Sequence, residues 1–463
     1  MDRKWWTLGV VCAATFMLLL DVTIVVVALP DIQSKLGASF SEVQWVTDAY
    51  ALSLAALLLT CGALADRYGR KRLFLVGMVV FTLGSVLCGA AQDPTMLVLS
   101  RAAQGIGGAM LFATSLALLA TSFQGRERGV AFGIWGAVTG ISTALGPILG
   151  GAITSGISWR GVFWVNLPIG AVALVVAWRW VTESRAPHAH RPDWAGFATL
   201  TVALLSLVYG LIRASEDGWG ETSVIACFVL AALLLAAFTY VEARVAQPMF
   251  DLSLLRIPTF LGGSVAAFAM NGSLFAMILY LTLYLQEDQH FSALQSGLRL
   301  LLMSGVTMVV ATVAGRVSSH LPVRWLIGPG LVAVGIGLFL MTGLGASDSW
   351  THLVPGLLLA GVGAGLVNPP LASTAVGVVH HDRSGMASGA NTTFRQVGIA
   401  VGIATYGSVF AAAQRHGARL GWDAHRSFVH GLDELFVIAG AVAVVGGLAS
   451  LALIRSKDFV ASH

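Results

Sequence analysis

Three ionisable residues in apolar surroundings could do chemistry in this chain: Asp21, Asp48 and Arg101. Asp21 lies inside the first apolar stretch, followed by Thr23 and by Ala28-Leu29-Pro30. An ionised carboxylate at membrane depth costs roughly 2.5–3.5 kcal/mol on insertion scales, and more without a partner. Such a residue either moves protons or ions, or is a structural carboxylate satisfied by a neighbouring helix; the first reading is preferred. Apolar surroundings favour a neutral carboxyl, whereas a nearby guanidinium favours the anion. An acid that exchanges Arg101 for a proton can therefore tie a conformational change to a proton gradient. At 1.5 Å per residue, Asp21 sits about 12 Å below the outer end of its helix, Asp48 about 6 Å and Arg101 about 7 Å below theirs. Two acids and one base thus share the outer half. Asp21 is assigned as the proton-coupling acid, Asp48 as its partner or a cation-attracting group near the outer mouth, and Arg101 as the charge that tunes both. The bland alternatives are a solvated Asp48 and an Arg101 that only ties neighbouring helices together.

The elements that must position these groups follow from composition. The chain has 463 residues, of which 56% are hydrophobic and only 11% charged, with mean hydropathy +0.80. A soluble domain carries about 25% charged residues, so this chain cannot coat a water-exposed globule and reads as a polytopic membrane protein. The net charge of +4 is no sign of nucleic-acid binding, because here the placement of charges matters more than their sum. Cys12, Cys61, Cys88 and Cys227 all fall in apolar stretches without metal-ligand spacing, so neither a disulfide framework nor a zinc site is suggested. Asp2-Arg3-Lys4-Trp5-Trp6 resembles a signal n-region, but the apolar run behind it is too long for a signal peptide and is expected to be retained as a helix. Arg far outnumbers Lys, as in GC-rich bacterial genomes, which points to a bacterial inner (plasma) membrane.

Apolar stretches of about 20 residues, enough to cross a bilayer, are expected at 5–29, 44–65, 73–91, 96–121, 129–153 and 161–181, then 195–214 and 222–243, then 259–285, 296–318, 325–345, 353–378, 386–412 and 433–455. The fold class is therefore all-α, with about fourteen membrane helices. Of the 27 Lys and Arg residues, eighteen fall on the side of the N-terminus and seven on the other, leaving Arg101 and Arg395 in the membrane. This asymmetry puts both termini in the cytoplasm. Polar breaks at Glu183–Asp193 and Arg244–Pro258 give a 6 + 2 + 6 arrangement. Its parts are an N-terminal six-helix bundle (1–182), linkers with two extra helices (183–258) and a C-terminal six-helix bundle (259–463). A faint repeat, Gly62-Ala-Leu-Ala-Asp66-Arg67 against Ala314-Gly-Arg-Val-Ser318, supports two equivalent halves.

The loop from Gly62 through Asp66, Arg67, Gly69, Arg70 and Lys71 to Arg72 sets one acid among four cations, with glycines expected to allow a tight turn. Such a cluster can latch the cytoplasmic helix ends in one of two arrangements. In the fifth span, Gly136/Gly140 and Gly146/Gly150 repeat small-xxx-small spacing beside Gly151, with Pro147 between the pairs. That pattern brings backbones together and kinks the helix. Trp45, Trp135, Asn271, Tyr280, Tyr284, Asn391, Arg395 and Gln396 are candidates to line a cavity, against packing or interfacial belts as the commoner role. Gly105-Ile-Gly107-Gly108 and Gly361-Val-Gly363-Ala-Gly365 follow no strand and are read as packing faces, not nucleotide loops. His380-His381-Asp382 is not read as a metal site, since adjacent side chains diverge.

The loop Gly62–Arg72 resembles the signature between helices 2 and 3 of the major facilitator superfamily. Leu20-Asp21-Val-Thr23 through Ala28-Leu29-Pro30 is similar to the helix-1 signature of its fourteen-helix drug–proton antiporters. Arg101-Ala-Ala-Gln104-Gly105 resembles the superfamily's membrane-embedded Arg motif, and Gly140 through Gly146-Pro147 to Gly150-Gly151 its exporter motif. Trp159-Arg160 through Asn166-Leu-Pro168, Asp193-Trp-Ala-Gly196, Tyr284-Leu-Gln286 and Asn391 through Arg395-Gln396 extend the likeness along the chain. One departure is Val26, where the family commonly carries Asn, which implies a different or less polar cargo.

The resemblance implies a proton-coupled antiporter exporting amphipathic organic compounds by alternating access. Its partners would be small organic substrates, protons and the lipid bilayer, with no nucleic acid, and it is expected to act as a monomer. No Walker lysine occurs, so no ATP and no cofactor are expected, and the proton gradient supplies the energy. Alternatives are export of one endogenous metabolite or antibiotic, and proton symport for uptake, which the exporter motif disfavours. No nucleophile–base pair at membrane depth suggests an enzyme.

Overall fold

The computed structural model describes residues 2–123, 125–185, 193–245, 248–317, 321–345, 349–379 and 384–459. Its helices are α1 (Arg3–Leu36), α2 (Phe40–Tyr68), α3 (Arg70–Ala90), α4 (Pro94–Ser122), α5 (Gly125–Gly156), the short α6 (Gly161–Trp164), α7 (Asn166–Trp180), α8 (Trp194–Asp217) and α9 (Thr222–Glu242). After these come α10 (Pro258–Met270), α11 (Ala276–Leu283), α12 (Ala293–Val317), α13 (Arg324–Phe339), α14 (Val354–Gly377), α15 (Ser384–Arg419) and α16 (Ala424–Leu453). Among the described residues there is no strand. This is the architecture hydrocarbon demands, because a helix satisfies its own backbone polar groups.

Twelve helices among the described residues are long and apolar enough to cross a membrane. Helices α5 and α13 occupy two further positions where the sequence places spans, α13 being shorter at 16 residues. The boundaries depart from expectation in one instructive place. The sequence suggests a stop at Pro30, yet α1 runs through it to Leu36 and ends on Gly37, whose N–H bonds Gln33 O.

The chain divides into two compact units. The first comprises Met1–Val202, Leu234–Leu252 and Gly385–Thr393; the second comprises Ala203–Leu233, Ser253–Ser384 and Phe394–His463. The two extra helices α8 and α9 are thus each shared between the units.

In the first unit α1 packs on α4, α5 and α7, while α4 lies against both α2 and α3. Its core is fully buried and apolar, including Val11, Met17, Phe74, Phe81 and Phe123. In the second unit α13 packs on α14 and α16, α14 on α12, and α10 on α16. The glycine runs in α4 and α14 serve packing, as the sequence suggests. A Cβ at Gly105 would sit 2.6 Å from Tyr50 O, and one at Gly361 2.6 Å from Met303 O. Two π-helical turns, Asn271–Phe275 and Tyr284–Asp288, flank α11; such turns often mark functional sites.

Candidate functional site

The site lies in the first unit and is built by five helices. Asp93 starts α4, accepting the N–H of Met96 at 2.9 Å with Pro94 in the first turn. Two turns on, Arg101 and Gln104 stand three residues apart and so share one face. A capping box of Ser39 and Glu42 starts α2 and sets the height of Val46, Asp48 and Tyr50. A Cβ at Gly84 would lie 2.8 Å from Gln104 Cα, so this glycine lets α3 bring Ser85 against α4. Val165, still in helical backbone geometry, joins α6 to α7 and leaves Asn166 opening α7.

These elements converge on Asp21. Arg101 Nη1 donates to Asp21 Oδ2 at 2.5 Å, with Arg101 2% and Asp21 0% exposed. Gln104 Nε2 donates to Asp21 Oδ1 at 2.8 Å and to Ser85 Oγ at 2.7 Å. Asn166 Nδ2 reaches the same two oxygens at 3.2 and 3.0 Å. Gln104 Oε1 accepts from Arg101 Nη1 at 2.6 Å, and Arg101 Nε donates to the Val46 carbonyl at 3.0 Å. The Tyr50 ring lies 4.3 Å from the guanidinium carbon, within cation–π range. Both carboxylate oxygens are therefore bonded by protein donors. Breaking such a buried pair costs about 3–5 kcal/mol if one charge is left behind. A proton on Asp21 would neutralise the carboxylate, while Arg101 would then need another partner.

The second acid is not part of this network. Asp48 is fully buried, and among the described residues neither of its carboxylate oxygens has a hydrogen-bond partner. The Tyr50 hydroxyl and Asn166 Oδ1 are likewise buried without a partner among those residues. The solvated reading of Asp48 does not fit its burial.

Helix α5 reaches the site through its glycines. A Cβ at Gly146 would collide with Thr23, and one at Gly150 would lie 2.8 Å from Ile24 O. The contact falls two and three residues beyond Asp21, with Pro147 inside the same stretch of helix. Gly151 is buried beside it, and Gly140 lies one turn and a half earlier in α5. The sequence singles out no counterpart in the second unit, yet Cβ atoms at Gly398 and Gly402 there would meet Phe268 O at 2.6 Å and Gly272 O at 2.5 Å.

At the cytoplasmic end, the loop residues are arranged differently from expectation. Gly62 lies inside α2, with open space where a side chain would stand, so it makes no turn. The turn is at Gly69, where φ is +119° and a Cβ would meet the Glu183 carboxylate at 2.6–2.8 Å. Asp66 bonds Arg70 at 2.8 and 3.0 Å, an i,i+4 pair, while Arg67 lies over Tyr68. Glu183 accepts the backbone N–H groups of Lys71 at 3.0 Å and Arg72 at 3.2 Å. Lys71 Nζ bonds the Trp178 carbonyl at 2.7 Å. Glu183 thus caps the positive end of α3, a role hidden in the sequence by the separation of 112 positions between Glu183 and Lys71.

The candidate cavity residues fall in both units. Trp135 Nε1 bonds Thr15 Oγ1 at 2.8 Å within the first unit, where Trp45 is partly buried and Asn391 buried. In the second unit, Tyr280 OH donates to Ile403 O at 2.9 Å and Asn271 Nδ2 to Ala267 O at 2.8 Å. Arg395 is partly buried and Gln396 buried there. His380-His381-Asp382 lies outside the described residues. Among the described residues no cluster of three metal-ligating side chains occurs.

A buried ion pair inside a bundle of membrane helices is the mark of a transport protein rather than a soluble catalyst. The family model of the Major Facilitator Superfamily matches residues 11–403, and the chain belongs to that superfamily. It is 36% identical over 398 residues to multidrug resistance protein Stp of Mycobacterium tuberculosis, covering 86% of this chain and 74% of that one. It is 32% identical to the tetracenomycin C resistance and export protein of Streptomyces glaucescens, covering 97% and 91%. Among solved structures, a bacterial homologue of the human lysosomal transporter Spinster shares the fold, with a TM-score of 0.68 at 17% identity and coverage of 100% and 99%. The protein is a multi-pass bacterial membrane transporter.

Proposed function

We propose that this protein is a proton-coupled antiporter that exports amphipathic organic compounds by alternating access. The observation that carries this reading is the buried pair of Asp21 and Arg101, with Gln104 and Asn166 on the same carboxylate. A proton from the outer side replaces Arg101 on Asp21, the helices rearrange, and release of that proton to the cytoplasm restores the pair. The α1–α5 glycine contact next to Asp21 gives rearrangement of α5 a direct path to the acid. Asp48, buried and unbonded among the described residues, is the second acid on the proton's way in. Drug or antibiotic resistance in the names of the relatives supports organic cargo moved outward. The protein is proposed to act as a monomer without a cofactor.

A second reading is dedicated export of a single antibiotic, favoured by the name of the tetracenomycin relative. Everted membrane vesicles, made acidic inside by respiration, separate the two. Cationic, neutral and anionic compounds are added one at a time while a pH dye reports the gradient. Collapse of the gradient by several amphipathic compounds supports the broad exporter, and collapse by one compound supports the dedicated one. Compound accumulation without proton movement would sink the proton-coupled reading.

A further inference from the structure

We propose that Arg395 binds the acidic group of the cargo, so that the exported compounds are amphipathic organic anions such as carboxylates, sulfonates or phenolates. This rests on the exporter reading above and adds the charge of the substrate. Arg395 lies on α15, about 16 Å along the helix from its cytoplasmic start at Ser384. Unlike Arg101, it has no hydrogen-bond, ion-pair or ring partner among the described residues. The last six spans offer no acid within reach. No Asp or Glu occurs within 259–285, 296–318, 325–345, 353–378 or 386–412. Asp433 and Glu434 lie about 14 Å below the outer start of α16, whereas Arg395 lies about 36 Å below the outer end of α15. Both acids are also engaged, Asp433 by the Gly343 N–H at 3.1 Å and Glu434 by His430 at 3.4 Å. An unpaired charge at membrane depth is costly, and residues of this kind mark substrate pathways.

The side chain does not leave the bundle for lipid. Gly398 and Gly402 stand within about 60° of Arg395 around α15, and both are packed closely. A Cβ at Gly398 would sit 2.6 Å from Phe268 O, and one at Gly402 2.5 Å from Gly272 O. Arg395 is therefore on the face that α15 turns toward α10 and the π-helical turn Asn271–Phe275, all within the second unit. These contacts also show that α10 and α15 run parallel. One turn nearer the cytoplasm on each helix stand Arg395 and Ser264. At this level Ser264 Oγ and Gln396 Oε1 are buried without a partner among the described residues, in side chains 1% and 8% exposed. A hydroxyl and a carboxamide each supply a donor to an anion, and a guanidinium pairs with its oxygens through two N–H groups. A cationic cargo would set a second positive charge beside Arg395, and a neutral one would leave Arg395 uncompensated.

The test uses the full-length protein in phosphatidylcholine nanodiscs, with empty nanodiscs as the reference for partition into lipid. Three fluorescent probes of similar shape are titrated: pyrene-1-sulfonate, pyrene-1-sulfonamide and pyren-1-ylmethylammonium. The sulfonate should bind about tenfold tighter than the sulfonamide, and the ammonium should bind weakest. Arg395→Gln should weaken the sulfonate by roughly 10- to 100-fold and leave the sulfonamide within about threefold. Arg395→Lys keeps the charge and should retain the preference for the sulfonate, which preserves the test if the glutamine variant does not fold. Wild type that prefers the ammonium or the sulfonamide overturns the proposal, as does a folded Arg395→Gln variant that binds the sulfonate as tightly as wild type. Displacement of the sulfonate by inorganic sulfate at equal concentration also overturns it, since the site would then serve a small ion. The exporter reading survives each of these results, because proton movement in the vesicle assay decides it separately.

Discussion

Replacing Gln104 by Leu tests whether the Asp21 carboxylate is held by a network or by Arg101 alone. Gln104 donates to Asp21 at 2.8 Å and accepts from Arg101 at 2.6 Å, so its side chain bonds both members of the ion pair. Leucine keeps the volume and makes neither bond. Hydrogen bonds to charged groups contribute about 1.5–3 kcal/mol each, which sets a ceiling of about 3–6 kcal/mol for losing both. The direct contact of Arg101 with Asp21 survives and Asn166 remains in reach, so a loss of about 2–4 kcal/mol is expected. The melting temperature of the purified protein should fall by roughly 2–4 °C. A double-mutant cycle gives the sharper result. With Asp21→Asn already present the charge is gone, and Gln104→Leu should then cost less by about 1–3 kcal/mol. A variant that melts within about 1 °C of wild type, with no coupling to position 21, would refute the network.

Glu183→Ala removes the acceptor from two N–H groups at the start of α3; it should cost about 1–2 kcal/mol and slow transport, with Glu183→Gln intermediate, as read by vesicle flux at matched expression. Gly150→Val would drive a side chain into the Ile24 carbonyl, so α1 and α5 must separate; a loss of about 1–3 kcal/mol and of transport is expected, and normal flux would show that close contact is dispensable. Asp48→Leu should raise stability by about 1–3 kcal/mol, because no bond among the described residues is lost and a buried carboxylate is removed; a lower melting temperature would mean that Asp48 has a partner in the working protein.

The membrane spans were legible because hydrocarbon imposes a length and an apolar composition that few other environments require. That Arg101 would meet one of the two acids was legible for a related reason, although the depths estimated from the sequence favoured Asp48 over Asp21. Charges are so rare at membrane depth that a base there has few possible partners, but choosing between the two acids needs the rotation of α1 and α2, which no local pattern reports. Gln104 carried a readable signal, since it stands one turn from Arg101 on the same face. Asn166 and Ser85 carried little, being single small polar residues on separate helices whose rotation no local pattern reports. Glu183 was hidden for another reason: it sits at the start of a polar break and reads as linker, whereas its role depends on α7 returning beside the start of α3. Gly62 shows the opposite error. A glycine beside a charged loop suggests a turn, but the hydrogen-bond ladder of α2 continues past it to Tyr68, and the positive-φ turn falls at Gly69.

Proton coupling through Asp21 is tested most directly in proteoliposomes carrying the Asp21→Asn variant, with net proton-driven cargo flux and cargo–cargo exchange measured on the same preparation. The carboxamide resembles the protonated acid in shape and charge, so exchange should persist while flux driven by an imposed pH gradient disappears. Gradient-driven flux at the wild-type rate would contradict the assignment of Asp21.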